Sequence, residues 1–516
     1  MKNRKFAYLL LGAAALAGLT ACGASTNKSS NDKNDGNTVR WSDWGEDYHK
    51  GFLDDSAKES GIKIKWDTMV AADWSDKKSV LVASGDLPDA FLGSNAFTDS
   101  EIAQNQNMFI PLEDLIKDNM PNLNKAFEKE PKLKAMVTNP DGHIYSLPKK
   151  LPMRPIVGNQ LFINKKWLDN LGLKMPETYD DLVTVLQAFK DKDANGNGDV
   201  NDEIPFGSGN FDPTFSYILP FNNRLGGDNT YEMSVKDGKP VYLRTEESYK
   251  QGIAAMHEAY KKGLIDPELF TEDTSMSVAK RMDKGVARVG VSSGWTADAT
   301  FGQHASEYAP LPALKGPDGK QYVVSDPDHL NYGRNEILIT NKCKDPAKLL
   351  KWLDKFYTDD ASIQNFYGSF GIATEKDGDK YKVLAPKDGK SADEWAWINS
   401  LRDFGPKYVS DDINSHVDID QTQGDGLKLK MDKELKQYAL PAYPNVIYSQ
   451  EELNKLSSIY VDINSYVTQQ ASKWVVEGGI EKEWDDYKAT LKKMGIDDFM
   501  KIQQDAYDRY QKEVKE

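Results

Sequence analysis

From Asp191 to Glu203 the chain reads DKDANGNGDVNDE, in which short oxygen-bearing side chains alternate with two glycines. A backbone that carries carboxylate, amide and carbonyl oxygens at alternate positions coils around a hard cation, and a set without His or Cys selects calcium over zinc or copper. With Asp193 at position one, Asn195 and Asn197 take three and five, Gly198 the turn at six, and Asp199 the backbone carbonyl at seven. That is an EF-hand register. The acid due at twelve is Ile204, however, while Asp202 and Glu203 arrive early. A register that begins at Asp191 instead puts Gly196 at six and Asp202 at twelve. The candidate calcium ligands are Asp193, Asn195, Asn197, Asp199, Asp202 and Glu203, with the register open. A calcium switch needs a movable helix on each side, and the IPF that follows reads as a strand, so the expected role is a structural staple.

The elements around the loop set its position. Thr178 is an N-cap residue, and Leu182, Val185, Leu186 and Phe189 repeat at helical spacing up to the loop. Upstream, TVRWSDW, IKIKWDTM and DLPDAFLGSN have strand composition, with a helix expected over 48–60. Downstream come a helix over 246–262, a buried strand in VARVGVSSGWT, and a crossover rich in Pro and Gly over 310–320. EILIT reads as a strand, DPAKLLKWLDKFYTD as a helix, and the last seventy or so residues as amphipathic helices. Alternation of strands and helices predicts an α/β fold with a mainly parallel sheet. In such sheets ligands meet the loops beyond the carboxyl ends of the strands, here Trp44, Glu46, Ser94 and Asn95.

The 516 residues exceed one compact core and imply at least two domains. With 65 Lys plus Arg against 80 Asp plus Glu, the formal charge of −15 disfavours nucleic acid as a partner. Lys2, Arg4 and Lys5 precede an apolar stretch over 6–18 that is too short to span a bilayer, the pattern of a signal peptide. It ends in LTAC, residues 19–22, which resembles the bacterial lipobox, and this implies lipidation of Cys22. GASTNKSSNDKNDGN then has the composition of a flexible tether. The other cysteine, Cys343, has no His beside it in sequence and reads as structural, and with Cys22 lipidated no internal disulfide forms.

The order GHIYSLP, LFINKKWLDNLGLKMPETYDDL, GVARVGVSSGW, PLPALKGPDGK and ILITNKCKDPAKLLKWLDKFY resembles the extracellular solute-binding proteins of carbohydrate ABC importers. These are relatives of maltose-binding protein, in the larger lipoprotein branch of Gram-positive bacteria. The resemblance implies a two-lobed, periplasmic-binding-protein-like α/β fold with a hinge, a ligand cleft between the lobes, and a membrane permease as partner. It assigns residues 1–21 to the signal peptide, 22–37 to the lipidated Cys and tether, 38–152 and 311–345 to lobe 1, and 153–310 and 346–516 to lobe 2. The protein would then be a monomer on the extracellular face of the cell membrane. Several larger oligosaccharide-binding members also carry a calcium loop after the equivalent helix.

Sugars offer apolar C–H faces ringed by hydroxyls, so a sugar cleft needs aromatic platforms and planar polar side chains. The candidates are Trp44, Trp295 and Trp395 as platforms, with Glu46, Asn95, Arg154, Asn159 and Arg334 as polar groups; Phe211 and Asp212 are weaker. Trp167 and Trp352 sit on amphipathic helices and are assigned to the core. Two rivals remain: a binding protein for peptide or another non-sugar solute, and a surface glycoside hydrolase. No nucleophile elbow, HExxH or phosphate loop supports an enzyme.

Overall fold

The computed structural model describes residues 37–41, 51–69, 71–93, 96–152, 155–209, 212–222, 231–326, 330–390 and 392–515. The expected signal peptide, Cys22 and the tether up to residue 36 lie outside them, and Asn37–Glu516 form one unit by their contacts. The chain of that unit opens with β1 (Asn37–Trp41), β2 (Ile64–Thr68), β3 (Ala90–Leu92) and β4 (Ser146–Lys150). It crosses to β5 (Gln160–Asn164) and β6 (Ile204–Phe206), forms the hairpin β7 (Met233–Lys236) and β8 (Lys239–Tyr242), and adds β9 (Val289–Gly294) and β10 (Tyr308–Pro310). The return strand is β11 (Tyr332–Ile339), followed by β12 (Thr374–Asp377), β13 (Lys380–Val383), β14 (Lys407–Tyr408) and β15 (Val417–Asp418). The two largest sheets have the orders β14-β4-β11-β3-β1-β2 and β10-β5-β9-β6. Each anchors a lobe.

Both sheets are covered on two faces, and the side-chain period of two shows it. In β3, Ala90 and Leu92 enter one core and Phe91 another; in β11, Ile337 and Ile339 part from Leu338 in the same way. In the second lobe Leu161 and Ile163 face the main core, and Phe162 faces a smaller one. The apolar runs in these strands are what burial on both faces requires.

β1 runs parallel to β2 and β3, while β11 is antiparallel to both β3 and β4, so β1, β3 and β4 end at one edge. From that edge the chain crosses to β5, with residues 151–152 and 155–159 described, and it returns from β10 to β11, with residues 311–326 and 330–331 described. The two connections run side by side: Leu151 N–H donates to Asn331 O at 2.8 Å, and Gly158 N–H to Val324 O at 2.9 Å. Asp326 N–H likewise donates to Ile156 O at 3.0 Å. This paired crossing is the hinge between the lobes.

The lobe boundaries differ from the expectation. Leu349, Leu350, Trp352 and Leu353 of the helix Pro346–Asp354 fill the first lobe's core, where Trp352 Nε1 donates to Ser56 Oγ at 3.0 Å. β14 pairs with β4 in the first sheet. Residues 346–409 therefore belong largely with lobe 1, while Leu311 and Leu314, expected there, join the core of lobe 2. An amphipathic helix declares in sequence that it covers an apolar surface, not which one. The C-terminal helices Gln450–Glu477, Ile480–Lys493 and Ile496–Lys515 do bury their apolar faces, including Ile463, Trp474 and Phe499, in the lobe 2 core. No helix among the described residues is long and apolar enough to cross a membrane.

Candidate functional site

β9 and β6 run parallel and β5 antiparallel to β9, with Gln160 opposite Gly294. The start of β5 and the ends of β6 and β9 therefore share one edge, and the hinge segment 151–159 arrives there. This edge carries Asn159 and Trp295, both half-buried. The turn into Trp295 requires glycine at 294, since a Cβ there would lie 1.8 Å from Thr300 Oγ1. Thr296 then caps the short helix Ala297–Phe301.

The helix Gly424–Leu435 underlies the hinge and locks Trp295 in place. Lys428 is fully buried; its ammonium lies 4.2 Å from the centroid of the Trp295 ring and donates to Gly158 O. One turn on, Asp432 Oδ1 accepts Val157 N–H at 2.9 Å. A cation held over an indole fixes the plane of the ring. Gln160 reinforces the edge, with its side-chain amide donating to Asn159 O at 2.8 Å. Sequence reasoning missed Lys428, because LKLK in a helix has the pattern of a solvated face and nothing local signals the hinge carbonyl above it.

The other candidates fall elsewhere. Trp44, Glu46, Ser94, Asn95, Arg154 and Phe211 lie outside the described residues, although β1, β3 and β4 end at the edge where the crossover leaves. Asp212 serves as an N-cap, with Oδ1 accepting Thr214 N–H at 2.8 Å. Arg334 is committed to structure. Its Nε and Nη2 clasp Asp99 at 3.0 and 2.6 Å, while Nη1 and Nη2 donate to Asn445 O and Val446 O, each at 2.8 Å. Burial pushes the Asp99 carboxyl up, but the charge and hydrogen bonds of Arg334 outweigh it and hold it below the usual carboxylate range. Trp395 sits half-buried on the helix Ala392–Asn399, its Nε1 shielded and without a hydrogen-bond partner. That helix lines a cavity of about 300 Å³ through Ala392 and Ala396, which also includes Arg402 and Gln423. A larger cavity of about 690 Å³ adjoins it at Gln423 and reaches Thr296 beside Trp295. Cys343 is half-buried, and burial pushes its thiol up to about 11.

The oxygen-rich loop lies at the opposite end of β6, after the helix Tyr179–Asp191 that Thr178 caps as expected. Asp193 organises the coil: Oδ1 accepts Gly196 and Asn197 N–H at 2.7 and 3.0 Å, and Oδ2 accepts Gly198 N–H at 2.8 Å. Asn195 Oδ1 accepts Asn197 N–H, and Asn197 Oδ1 accepts Asp199 N–H, so these amide oxygens turn into the coil. Both amides donate to the Asp202 carboxylate, at 3.0 and 2.8 Å. Glu203 closes the neck, with Oε1 accepting Ala194 N–H at 2.8 Å while Oε2 is shielded from solvent and meets no donor. Burial pushes this carboxyl above its ordinary value. Outside the coil, Asn170 Nδ2 donates to Ala194 O at 2.9 Å and ties the loop to the helix Lys165–Leu171.

This donor set fits a hard cation. Among the described residues no three His, Cys, Asp or Glu side chains converge as a metal centre, but this loop draws on amide and carbonyl oxygens as well as on acids. The shielded Glu203 Oε2 is the atom whose burial a divalent ion compensates. Two registers were open; the geometry favours Asp193 as the first residue, since its carboxylate accepts three successive backbone amides.

Residues 41–363 match the family of bacterial extracellular solute-binding proteins. The fructooligosaccharide ABC transporter substrate-binding protein FusA of Streptococcus pneumoniae is 35% identical over 477 residues, which cover 88% of this chain and 86% of that protein. Two solved structures align over nearly the whole unit. An EF-hand mutant of S. pneumoniae FusA in complex with fructo-nystose is 32% identical with a TM-score of 0.77, covering 92% of this chain and 99% of that one. An HMO-binding, ABC-transporter-associated solute-binding protein from Bifidobacterium longum infantis is 28% identical with a TM-score of 0.80, covering 93% and 99%.

Proposed function

The chain belongs to the bacterial extracellular solute-binding proteins, and from that premise we propose that it captures an oligosaccharide between its two lobes and delivers it to an ABC permease. The observation that carries this reading is Trp295: a half-buried indole at the ligand edge of the second sheet, braced on one side by Lys428 and joined through it to the hinge. An indole face stacks on the C–H face of a sugar, and closure of the lobes excludes water from the hydroxyls. Its relatives are transport receptors, and the reading assigns no catalytic residue. The sugar leaves as it arrived.

Calcium bound by Asp193, Asn195, Asn197, the Asp199 carbonyl, Asp202 and Glu203 staples the Tyr179–Asp191 helix to β6. Support comes from the shielded Glu203 oxygen and from the EF-hand of FusA. Cys22, lipidated, tethers a monomer to the outer face of the membrane, with residues 23–37 as the leash. Asn159 and Trp295 form the lobe 2 side of the cleft, and Trp44, Glu46, Asn95 and Arg154 supply the lobe 1 side and the hinge. Trp395 lies on the helix whose Ala392 and Ala396 line the neighbouring cavity.

Thermal unfolding with calcium, against neutral oligosaccharides, uronic-acid oligosaccharides and peptides, tests the proposal. A ligand that binds only the native state raises the midpoint by mass action. The account expects a rise with one sugar class; a rise with peptides alone overturns it, and release of new reducing ends converts the receptor into a hydrolase.

A further inference from the structure

An asparagine followed by glycine is open to cyclisation, because glycine has no Cβ to shield the nitrogen that attacks. The sequence holds two such pairs, Asn195-Gly196 and Asn197-Gly198, and both lie in the oxygen-rich loop. In this reaction the glycine nitrogen loses its proton and attacks the asparagine Cγ. The new N–Cγ bond closes a succinimide ring, the Cγ–Nδ2 bond breaks, and ammonia departs with the proton. Water then opens the ring at either carbonyl and leaves aspartate or isoaspartate. Solvent supplies the only co-reactant.

The folded coil opposes the attack at both pairs, and one side chain does most of it. Asp193 Oδ1 accepts Gly196 N–H at 2.7 Å, and Oδ2 accepts Gly198 N–H at 2.8 Å. Both nucleophilic nitrogens are thus bound to one carboxylate, whose negative charge disfavours their loss of a proton. The carboxamides are pinned as well, each accepting a backbone amide two residues on and donating to Asp202. The glycines take φ of +78° and +93°, so a bulkier and less labile residue at either place is strained. Access separates the two pairs: the Asn195 side chain is buried and that of Asn197 is exposed.

We propose that Asn197 is a deamidation site and that Asp193 is the guard that sets its rate. Local opening frees Gly198 N–H from Asp193, and Asn197 converts. Asn195 follows more slowly because its side chain is buried. Conversion adds one negative charge to the loop, and the isoaspartyl product also adds a main-chain carbon between residues 197 and 198, which breaks the spacing that brings Asn197 and Asp199 together. The modification needs neither bound sugar nor bound cation, so calcium-free protein tests it apart from the receptor and the staple.

Timed peptide mapping by mass spectrometry reads it, on the calcium-free wild type, Asp193→Asn and Asp193→Ala, each held folded in mildly alkaline buffer. Asn at 193 keeps one oxygen for Gly196 and Asn197 but turns an amino group towards Gly198, and Ala removes both oxygens. The expected result is slow conversion of Asn197 in the wild type, with Asn195 slower still. Asp193→Asn should speed Asn197 by about tenfold, the low end of what a hydrogen bond to a charged group supplies, and leave Asn195 near its wild-type rate; Asp193→Ala should speed both. If Asp193→Ala lowers the unfolding midpoint, Asp193→Asn carries the test, because a general loosening of the loop speeds both asparagines alike. Equal rates in the three proteins, or equal acceleration of both asparagines in Asp193→Asn, overturns the guard. Asn195 converting ahead of Asn197 in the wild type overturns the site, and so does a folded wild type that converts Asn197 as fast as the same chain unfolded in urea.

Discussion

The oxygen-rich loop and the Trp295 edge lie at opposite ends of the same parallel strand pair, β6 and β9, yet they are built in contrary ways. The loop's candidate ligands come from one short run between Asp193 and Glu203, with Asp193 accepting backbone amides only three to five residues away. The edge gathers Gly158, Trp295 and Lys428, with hundreds of residues between the first and the last. A local site has most of its geometry from turn chemistry, and a bound ion stiffens it. A dispersed site exists only when the lobes and hinge are already folded, so its strength tracks the tertiary structure.

The largest expected effect separates ligand contact from clamp. Arg334→Met leaves the Asp99 carboxylate, 28% exposed, with the Asn335 amide but no counter-charge, and breaking a partly buried pair of this kind costs about 3 kcal/mol. Denaturant unfolding should show that loss while sugar affinity stays within about twofold, since the guanidinium is spent on Asp99, Asn445 and Val446. A drop in affinity without loss of stability would put Arg334 in the cleft instead.

Calcium comes next. At a hundredfold excess over its dissociation constant it should stabilise the fold by about 2.7 kcal/mol, and Asp193→Ala should abolish that response with little change in affinity for sugar. Trp295→Ala should do the reverse. Loss of a buried tryptophan contact costs about 2 kcal/mol, roughly thirtyfold in dissociation constant, while the calcium response persists. If either variant moves both readouts equally, the two regions are one cooperative site.

The smallest effect is a pH dependence at Glu203. Burial raises its folded value above the ordinary 4.5, so without calcium the folded state binds more protons than the unfolded one in the window above 4.5. Its contribution to stability is present below that window and is lost as pH rises through the folded value. Calcium binds the ionised form, so the thermal shift it gives should shrink as pH falls towards that window. Glu203→Gln should flatten the calcium-free profile there.

The same contrast decides how much was legible in the sequence. Local signals were: the Thr178 cap, the helix after it, the alternation around the loop, and the strands VARVGVSSGWT and EILIT all appear where their patterns put them. The place of Trp295 was legible because a strand end and a glycine mark a turn at a sheet's carboxyl edge. Its brace was not, because Lys428 looks like any helical lysine until the hinge carbonyl of Gly158 lies above it. Arg334 looked like a ligand for the converse reason: an arginine before a strand carries no sign of the Asp99 that meets it across 235 residues of sequence. Lobe assignment of the helix Pro346–Asp354 failed for the same cause, since its apolar face fits either core in pattern and only the packing of Trp352 on Ser56 decides.

The central claim is that the Trp295 edge captures an oligosaccharide and releases it unaltered. Its most direct test is titration calorimetry of neutral oligosaccharides into calcium-loaded wild type and Trp295→Ala, followed by chromatography of the recovered sugar. The account predicts saturable one-to-one binding in the wild type, a dissociation constant about thirtyfold weaker in the variant, and sugar recovered at its original length. Equal binding by both proteins, or shortened sugar after incubation, would contradict it.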